Sequence, residues 1–274
     1  MVLGIDVGGS TTKIVGLAPN GECIGMMQVE AGDQITSAFG AFGKFISAKS
    51  LRLDDISKIM ITGVGASYLE SGIYNIPTKR VDEFLAIGLG GLNLANLDEA
   101  IIVSAGTGTA LVRATNDGIA HIGGSGVGGG MLINLAQRFA GAHSFASITK
   151  MAAEGSLGTV DLRLSDISRE TIGNLPPHTT VSNFGNIQDD AASADIVLGL
   201  VNMIFESVGM MAVFATLNDS VKDIVLIGSL TEISQAGTVF SMLAKLHTGN
   251  RFHIPKDAIF ATAVGAALSE FMVR

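Results

Sequence analysis

A carboxylate, a glycine turn and a lysine stand close together near the N-terminus. Asp6 ends an apolar stretch, and Gly8-Gly9-Ser10-Thr11-Thr12-Lys13 follows after one further residue. A carboxylate at the end of a buried strand is costly unless it meets a cation or hydrogen-bond donors, whereas the N–H groups of a tight glycine turn can surround phosphate oxygens. The alternative is an ordinary hairpin with a solvated aspartate. The predicted phosphate-binding turn consists of Asp6, Gly8, Gly9, Ser10, Thr11 and Lys13.

A second turn of the same kind, Ser104-Ala105-Gly106-Thr107-Gly108-Thr109, lies roughly a hundred residues later. It does not match the G-x-x-x-x-G-K-[ST] phosphate loop, and alone it would be weak evidence. Each turn, however, follows an apolar strand and precedes a second strand and a hairpin signal, Asn20-Gly21 in one case and Asp117-Gly118 in the other. This internal repeat predicts two related halves whose turns face one cleft. We expect a nucleotide in that cleft, with its phosphates between the turns.

Two further glycine motifs follow the second turn. The run Gly123-Gly124-Ser125-Gly126-Val127-Gly128-Gly129-Gly130 precedes an apolar helix. Because a helix N-terminus is electropositive, we predict that the bare amides of Gly128, Gly129 and Gly130 bind phosphate; a flexible loop is the alternative. Gly228-Ser229 joins a strand to a helix. This pair either contacts an adenosine or is an ordinary strand–helix turn. The presence of the other glycine motifs favours the adenosine contact.

The elements that must position these motifs are strands alternating with helices, which indicates an α/β architecture in two lobes. We place the N-terminal lobe at residues 1–95 and the C-terminal lobe, with a long apolar helix at 190–217, at residues 96–274. The predicted strands are 2–7, 11–17, 23–29, 58–61, 76–81, 101–104, 110–114, 119–122, 224–227 and 252–254. The other predicted helices are 35–50, 66–70, 83–94, the stretch from the glycine run to 139, 148–153, 233–245 and 261–271.

Composition narrows the class of protein. The net charge of −8 argues against a protein that reads nucleic-acid backbones, and the single cysteine, Cys23, excludes a disulfide framework, a zinc cluster or a cysteine-ligated iron–sulfur centre within one chain. The apolar stretch 196–217 carries Asn202 and Glu206 at its centre, where a carboxylate is costly in lipid. A buried helix at a subunit contact is therefore favoured over a membrane span. The N-terminus lacks the basic region of a signal peptide, and we expect a cytoplasmic protein.

Together these turns resemble the actin-like ATPase superfamily of sugar kinases, heat-shock chaperone ATPases and actin. Within it, the chain is similar nearly end to end to the type II pantothenate kinases. The resemblance implies the duplicated, ribonuclease H-like fold of that superfamily, with the nucleotide cleft between the two lobes. The residues that carry it are Asp6-Val7-Gly8-Gly9-Ser10 with Lys13, Val81-Asp82-Glu83-Phe84, Ser104-Ala105-Gly106-Thr107-Gly108-Thr109, the run from Gly123 to Gly130, and Ser182-Asn183-Phe184-Gly185.

The resemblance implies ATP-dependent phosphorylation of pantothenate to 4'-phosphopantothenate, the first step of coenzyme A synthesis, by a homodimer. It makes Glu83 the catalytic carboxylate, which orients the acceptor hydroxyl and takes its proton; from the sequence alone, Glu83 is equally a charge favoured at a helix N-terminus. Lys13 and the turns would hold the phosphates of ATP, and Asp6 would lie near Mg²⁺, contacting it through water. Coenzyme A or an acyl-coenzyme A is a candidate regulator. The implied substrate-binding residues are Ser104, Gly106, Thr107, His121 and Gly123.

One residue departs from the family pattern. His121 stands just before the glycine run, where the family usually has an arginine. Arginine is a permanently charged fork, whereas histidine is shorter and only partly protonated near neutral pH, so substrate affinity or substrate identity can differ. The alternatives are a kinase for another hydroxylated molecule, sugar-like or pantetheine-like, and a sensor that binds nucleotide or an acyl-coenzyme A. Activators of radical dehydratases start similarly, but they need cysteines for a cluster between two subunits.

Overall fold

The first third of the chain forms a five-stranded mixed sheet. The computed structural model describes residues 1–30, 32–69, 72–170, 172–173 and 175–272. The strands of this sheet are β1 (Val2–Val7), β2 (Thr11–Leu17), β3 (Cys23–Glu30), β4 (Lys58–Thr62) and β5 (Thr78–Arg80). They lie in the order β3-β2-β1-β4-β5. The first three form the predicted antiparallel meander, and β4 and β5 run parallel to β1.

A second sheet repeats this arrangement. The remaining strands are β6 (Ala100–Ala105), β7 (Thr109–Thr115), β8 (Gly118–Ser125), β9 (Leu162–Arg163), β10 (Thr180–Ser182), β11 (Asp223–Ile227) and β12 (Arg251–His253). Five of them form a sheet in the order β12-β11-β6-β7-β8, while β9 and β10 pair separately. Again the first three strands are antiparallel, and β11 and β12 run parallel to β6. The internal repeat predicted from the sequence is confirmed.

Helices cover both faces of each sheet. They are α1 (Gln34–Ala48), α2 (Glu83–Ala95), α3 (Gly129–Ala140), α4 (Phe145–Glu154), α5 (Leu164–Ile167), α6 (Ser193–Ala215), α7 (Gln235–Leu246) and α8 (Ala261–Leu268). Helix α1 begins after Asp33, whose carboxylate accepts a hydrogen bond from the Thr36 N–H at 2.7 Å. Its buried side chains, among them Phe42 and Phe45, recur at helical spacing and cover the outer face of the first sheet.

Helices α2 and α8 cross between the two sheets. Helix α8 packs on the first sheet and α2 on the second, so each crosses to the sheet built by the other half of the chain. The crossing is close because Gly90 and Gly265 lie in it. A Cβ at Gly90 would lie 1.7 Å from the Ala261 carbonyl oxygen, and one at Gly265 would lie 1.9 Å from that of Ala86. Only glycine allows this approach.

Helix α6 is the long apolar helix expected from the sequence. By length and composition it could cross a membrane, but 61% of its most apolar window is buried inside the protein. Val201, Ile204 and Phe205 pack with α3, α4 and α7 against the outer face of the second sheet. The prediction of a buried helix is confirmed, and Asn202 at its centre is buried with a hydrogen-bonded amide.

The structure differs from the sequence prediction in three segments. Gly123–Ser125 belong to β8 because Ser125 pairs with Thr109, so α3 begins only at Gly129. The predicted helix at 66–70 is a 3₁₀ helix, Val64–Tyr68, and residue 70 is outside the described residues. The chain expected to be irregular through Pro176-Pro177 contains β9 and α5, and β10 follows it where no element was predicted.

Candidate functional site

A cavity of about 310 Å³ lies between the two sheets, where β1 and β6 end in their glycine turns. Both turns, Gly228-Ser229 and Glu83 line it, so the structure brings together motifs that are far apart in the sequence. The predicted site residues that line the cavity are Asp6, Gly8, Gly9, Ser10, Thr11, Lys13, Glu83, Ser104, Gly106, Thr107, Gly108, Thr109, Gly228 and Ser229. The other predicted residues, His121, Gly123, Gly128, Gly129 and Gly130, lie outside this lining.

The first turn combines a carboxylate and an ammonium group. Asp6 on β1 pairs with Lys13 on β2, and Lys13 is 6% exposed. The ammonium of Lys13 donates to the Thr11 hydroxyl at 2.8 Å, and the Gly8 N–H donates to the Thr11 carbonyl at 3.0 Å. Burial raises the pKa of the Asp6 carboxyl, and the charge of Lys13 partly offsets that rise. This turn therefore holds a carboxylate whose charge is incompletely balanced by the protein.

The second turn is uncharged and closely braced. The Gly106 N–H donates to the Gly108 carbonyl at 2.9 Å, and the Thr109 hydroxyl donates to the Val127 carbonyl at 2.7 Å. Across the cavity, the hydroxyls of Ser10 and Thr107 are 3.4 Å apart. The two predicted phosphate turns thus face each other directly, as the repeat predicted.

The glycines before α3 support the second turn. The N–H groups of Gly129 and Gly130 donate to the carbonyls of Gly106 and Thr107, at 2.8 and 3.0 Å. A Cβ at Gly128 would lie 2.7 Å from the Thr107 carbonyl oxygen, which explains why small residues stand here. The expectation that these amides are bare is wrong for Gly129 and Gly130, because the helix packs directly onto the turn.

Glu83 is the first residue of α2 and lies at the wall of the cavity. The helix starts here because the Asp82 carboxylate caps it, accepting a hydrogen bond from the Leu85 N–H at 2.9 Å. Burial raises the pKa of Glu83, and the negative charges of Asp6 and Asp82 raise it further. A carboxylate in this setting holds a proton more readily than an exposed one.

His121 stacks on an aromatic ring of α2. On β8, its imidazole stacks on the ring of Phe84, with centroids 4.1 Å apart and planes 18° apart. Phe84 follows Glu83 on α2, so His121 is attached to the same helical turn that carries the carboxylate. This stack holds the imidazole, and His121 is not among the described residues that line the cavity.

The turn after β11 has a counterpart that the sequence analysis missed. Gly228 has φ 95°, and a Cβ there would lie 2.6 Å from the Ala105 carbonyl oxygen. After β4, Gly63 has φ 90°, and a Cβ there would lie 2.5 Å from Asp6 Oδ1. The repeat itself was the signal, because both glycines end the fourth strand of their sheet. Other lining residues not predicted are Val64, Ile87, Ala110, Ser125, Ile259 and Thr262.

A larger cavity, of about 990 Å³, lies elsewhere, between α6, α7 and residues of the segment from Leu157 to Thr180. Behind it, the fully buried Asp161 accepts hydrogen bonds from the Phe184 N–H at 2.9 Å and the Asn202 side chain at 3.1 Å. The Asn183-Phe184-Gly185 segment is anchored by this network. Neither glycine turn borders that cavity, so size alone would select the wrong place for phosphate chemistry.

Comparison with known proteins agrees with this geometry. Residues 95–248 match the family model described as Fumble. The type II pantothenate kinase of Staphylococcus aureus (strain USA300) is 28% identical over 238 residues, which cover 84% of each chain.

Solved structures show the same fold at low sequence identity. The Clostridium difficile activator of 2-hydroxyisocaproyl-CoA dehydratase, with bound ADPNP, aligns at a TM-score of 0.71 and 15% identity, covering 98% of this chain and 94% of its own. Component A of the Acidaminococcus fermentans (R)-2-hydroxyglutaryl-CoA dehydratase aligns at 0.68 and 18%, covering 98% and 96%. A ROK family glucokinase of Streptomyces griseus, in complex with glucose and AMPPNP, aligns at 0.60 and 11%, covering 97% of both chains.

The alignments confirm the two-lobed, actin-like ATPase fold predicted from the sequence. The family match covers more than half of the chain, including the second turn, the glycine run and the strand before Gly228. The chain therefore belongs to the Fumble family, the family of the type II pantothenate kinases.

Proposed function

We propose that this protein transfers the γ-phosphoryl group of ATP to the primary hydroxyl of pantothenate, forming 4'-phosphopantothenate in the first step of coenzyme A synthesis. The observation that carries the proposal is the meeting of both glycine turns and Glu83 at one cavity. The kinase names of the family relatives support the reaction type and the acceptor. A sugar kinase or a sensor would use the same turns, and the name of the relative from Staphylococcus aureus favours pantothenate as the acceptor.

The two turns and Gly228-Ser229 would bind different parts of the nucleotide. Lys13 and the amides of the first turn would bind phosphate oxygens, with the hydroxyls of Ser10 and Thr107 donating from either side. Gly228-Ser229, at the end of β11, would contact the adenosine. The N–H of Gly128 would bind phosphate, whereas Gly129 and Gly130 would act indirectly, by holding the second turn in place. The proposed acceptor-binding residues are Ser104, Gly106, Thr107, His121 and Gly123.

Glu83 is the proposed general base. The acceptor oxygen attacks the γ-phosphorus while the bond to the leaving oxygen of ADP breaks, and the hydroxyl proton passes to the Glu83 carboxylate. Burial and the neighbouring carboxylates raise the pKa of Glu83, which strengthens it as a proton acceptor. Its position at the first residue of a capped helix fixes the carboxylate against the cavity wall.

The residues present fit Mg²⁺ bound together with nucleotide phosphates. Among the described residues, no cluster of three or more His, Cys, Asp or Glu side chains could hold a metal ion. Mg²⁺ at kinase sites is usually held by one or two carboxylates, several waters and the phosphates themselves, and Asp6 is a buried carboxylate beside the first turn. Asp6 would hold the ion through water, and the ion would supply positive charge to the phosphate oxygens.

The proposal includes a cytoplasmic homodimer and regulation by coenzyme A or an acyl-coenzyme A. The long helix α6 is buried against its own lobe over most of its length, but Phe214 near its end is 62% exposed, and Phe139 and Ile187, which pack beside it, are 64% and 55% exposed. These apolar groups are where we expect the second copy to pack. Light scattering at micromolar protein checks this, and a monomer would contradict it.

The deciding experiment is an ATP turnover assay with Mg²⁺, in which pantothenate is compared with pantetheine and a panel of sugars. We expect turnover on pantothenate that Glu83→Gln abolishes, with the phosphorylated product identified by mass spectrometry. Phosphorylation of a sugar alone would refute the proposal. Nucleotide binding without phosphorylation of any acceptor would favour the sensor.

A further inference from the structure

Four strands of the first sheet place polar side chains in one row. Asp6 on β1 pairs with Lys13 on β2 and with Thr62 on β4. Lys13 pairs in turn with Gln28 on β3. Because the side chains of paired residues point to the same face of a sheet and lie close together, the charged pair of the first turn is flanked by Thr62 on one side and by Gln28 on the other.

Both outer members of this row have a buried oxygen without a hydrogen-bond partner among the described residues. The atoms are Thr62 Oγ1 and Gln28 Oε1, and the side chain of Thr62 is fully buried. In the described part of the chain, one further buried side-chain oxygen, the hydroxyl of Thr179, lacks a partner. A buried polar group without a partner destabilises a protein. Two such groups in one row therefore point to partners that they gain on binding.

The inner members of the row have unused hydrogen-bonding capacity. The Lys13 ammonium has three N–H groups, and within the described residues it uses one of them, toward the Thr11 hydroxyl at 2.8 Å. The Asp6 carboxylate accepts no hydrogen bond from the described side chains and backbone, and the charge of Lys13 is what favours its ionised form. Each unpartnered oxygen thus lies beside a complementary group, a hydroxyl beside a carboxylate and a carbonyl beside an ammonium.

The corresponding row of the second sheet shows that the fold does not require these groups. That row consists of Gly124, Ala110, Ser104 and Ile227. Ile227 occupies the position of Thr62, since each is the last residue of the fourth strand of its sheet and precedes a glycine of positive φ. Because an apolar side chain fits this position of the repeat, the hydroxyl of Thr62 needs an explanation outside the fold.

The end of β4 lies against the Asp6 carboxylate. A Cβ at Gly63, the residue after Thr62, would lie 2.5 Å from Asp6 Oδ1. A change of the χ1 rotamer of Thr62 can turn its hydroxyl toward this carboxylate without a movement of the backbone. A hydrogen bond to an ionised carboxylate is stronger than one between neutral groups, so this contact would hold Asp6 in one orientation.

We propose that Thr62 and Gln28 are positioning residues of the phosphate and metal site. When nucleotide and Mg²⁺ are bound, the Thr62 hydroxyl donates to the Asp6 carboxylate and fixes its orientation toward the metal. The Gln28 side-chain carbonyl accepts from the Lys13 ammonium and holds that group at the first turn. These roles rest on the proposed function for the parts played by Asp6 and Lys13, and they do not depend on which acceptor is phosphorylated.

The test is calorimetric titration of a nonhydrolysable ATP analogue with and without Mg²⁺. Thr62→Val keeps the shape of the side chain and removes the hydroxyl. Outer groups that hold a metal-binding residue are worth about 10–100-fold in metal affinity, so the gain in affinity that Mg²⁺ gives should fall by about tenfold. The affinity without Mg²⁺ should stay nearly unchanged. Thr62→Ser retains the hydroxyl and should keep most of the gain.

Gln28→Met tests the other end of the row. This variant keeps an unbranched side chain and removes the carbonyl that faces Lys13. Because Lys13 would act on the phosphates directly, affinity for the analogue should fall by about 3- to 10-fold, and by the same factor with and without Mg²⁺. The two ends of the row thus give different signatures in one experiment.

Stability separates these roles from a structural one. In the protein without nucleotide, Thr62→Val removes an unpartnered buried hydroxyl, so the midpoint of urea unfolding should stay the same or rise. Thr216→Val is the matched control, since it removes a buried hydroxyl that donates to the Val213 carbonyl at 2.7 Å, at the end of α6. It should lower the midpoint and leave the gain from Mg²⁺ intact.

The failures of the two proposals look different. A loss of affinity in Thr62→Val that is equal with and without Mg²⁺, or a gain from Mg²⁺ that this variant leaves intact, would overturn the role of Thr62. A parent protein whose affinity Mg²⁺ does not raise would overturn that role together with the metal site of the proposed function. The expected binding changes without phosphorylation of pantothenate would support the positioning roles and overturn the proposed acceptor.

Discussion

The two halves of the molecule share one strand order and differ in the side chains at the same places. On the first sheet, Asp6 pairs with Lys13 across the turn; on the second, Ser104 pairs with Ala110. Both pairs line the cavity. Each half thus ends its first strand in a glycine turn, while the charged pair proposed for phosphate and metal binding stands on the first turn.

The turns are also supported differently. The second turn is braced by N–H groups from α3, at Gly129 and Gly130. The first turn is backed by Gly63, whose missing side chain leaves room for the Asp6 carboxylate. We conclude that the second half provides a fixed, uncharged surface and the first half provides the reactive charges.

Removing the base from the first half should have the largest effect. Glu83→Gln keeps the size of the side chain but cannot accept a proton, so kcat should fall by about 10²–10⁴-fold. Affinity for a nonhydrolysable ATP analogue should stay within about twofold, because the nucleotide does not depend on proton transfer. Steady-state kinetics and calorimetric titration measure the two quantities. Glu22→Gln, on an exposed turn, is the matched control; loss of nucleotide affinity in Glu83→Gln would mean a structural role.

Removing the cation of the first turn should have the second-largest effect, a loss of nucleotide affinity. Lys13→Met keeps an unbranched side chain but removes hydrogen bonds from a charged donor, which are worth about 1.5–3 kcal/mol. The Kd for the ATP analogue should therefore rise by about 10- to 100-fold.

The comparison of halves is sharpened by Ser104→Ala, at the position equivalent to Asp6. This variant should change nucleotide affinity far less than Lys13→Met does. Lys44→Met, at an exposed position of α1, is the control for loss of charge. Equal losses from Ser104→Ala and Lys13→Met would contradict the division of charge between the halves.

A substitution at the crossing of α2 and α8, where the two halves meet, should lower the stability of the protein. In Gly265→Ala, the new Cβ would lie 1.9 Å from the Ala86 carbonyl oxygen, so α2 and α8 must move apart. We expect a loss of about 1–3 kcal/mol in the free energy of unfolding, the usual cost of overpacking.

Gly237→Ala is the matched control, since it lies in α7 with no atom within 4 Å of the new Cβ. Replacing glycine by alanine in an open helix position should stabilise by about 0.5–1 kcal/mol. Urea denaturation measures both changes. A loss of stability in both variants would mean that close packing at the crossing of α2 and α8 is not the cause of the loss in Gly265→Ala.

Much of this site could be predicted from the sequence, because its parts are local. The turn at Gly8-Gly9-Ser10 and its repeat at Gly106-Thr107-Gly108 follow from strand and turn residues, and the helix predicted at 83–94 begins at Glu83 in the structure. The bonded amides of Gly129 and Gly130 could not be predicted, because they depend on how closely α3 packs on the turn at Gly106-Thr107, which lies 23 residues earlier in the chain. The close crossing at Gly90 could not be predicted for the same reason, because the sequence does not show which distant residue a helix glycine contacts.

The smallest predicted effect concerns pH. Glu83 must be unprotonated to accept the hydroxyl proton, so kcat/KM should fall as the pH drops through the pKa of Glu83. Burial, Asp6 and Asp82 raise that pKa, in this order of size. Asp82→Asn removes the weakest of these causes and keeps a helix cap, because asparagine caps as well as aspartate does.

The pKa of Glu83 should therefore fall, and the acid limb of the kcat/KM profile should move to lower pH, with kcat near neutral pH little changed. The position of the limb relative to the unaltered protein, measured from acid to neutral pH, is the readout. A limb that stays in place in Asp82→Asn would belong to a group other than Glu83, Asp6 being the next carboxyl with a raised pKa at this site. In that case the charge that controls the reaction would lie on the turn itself rather than on the helix that faces it.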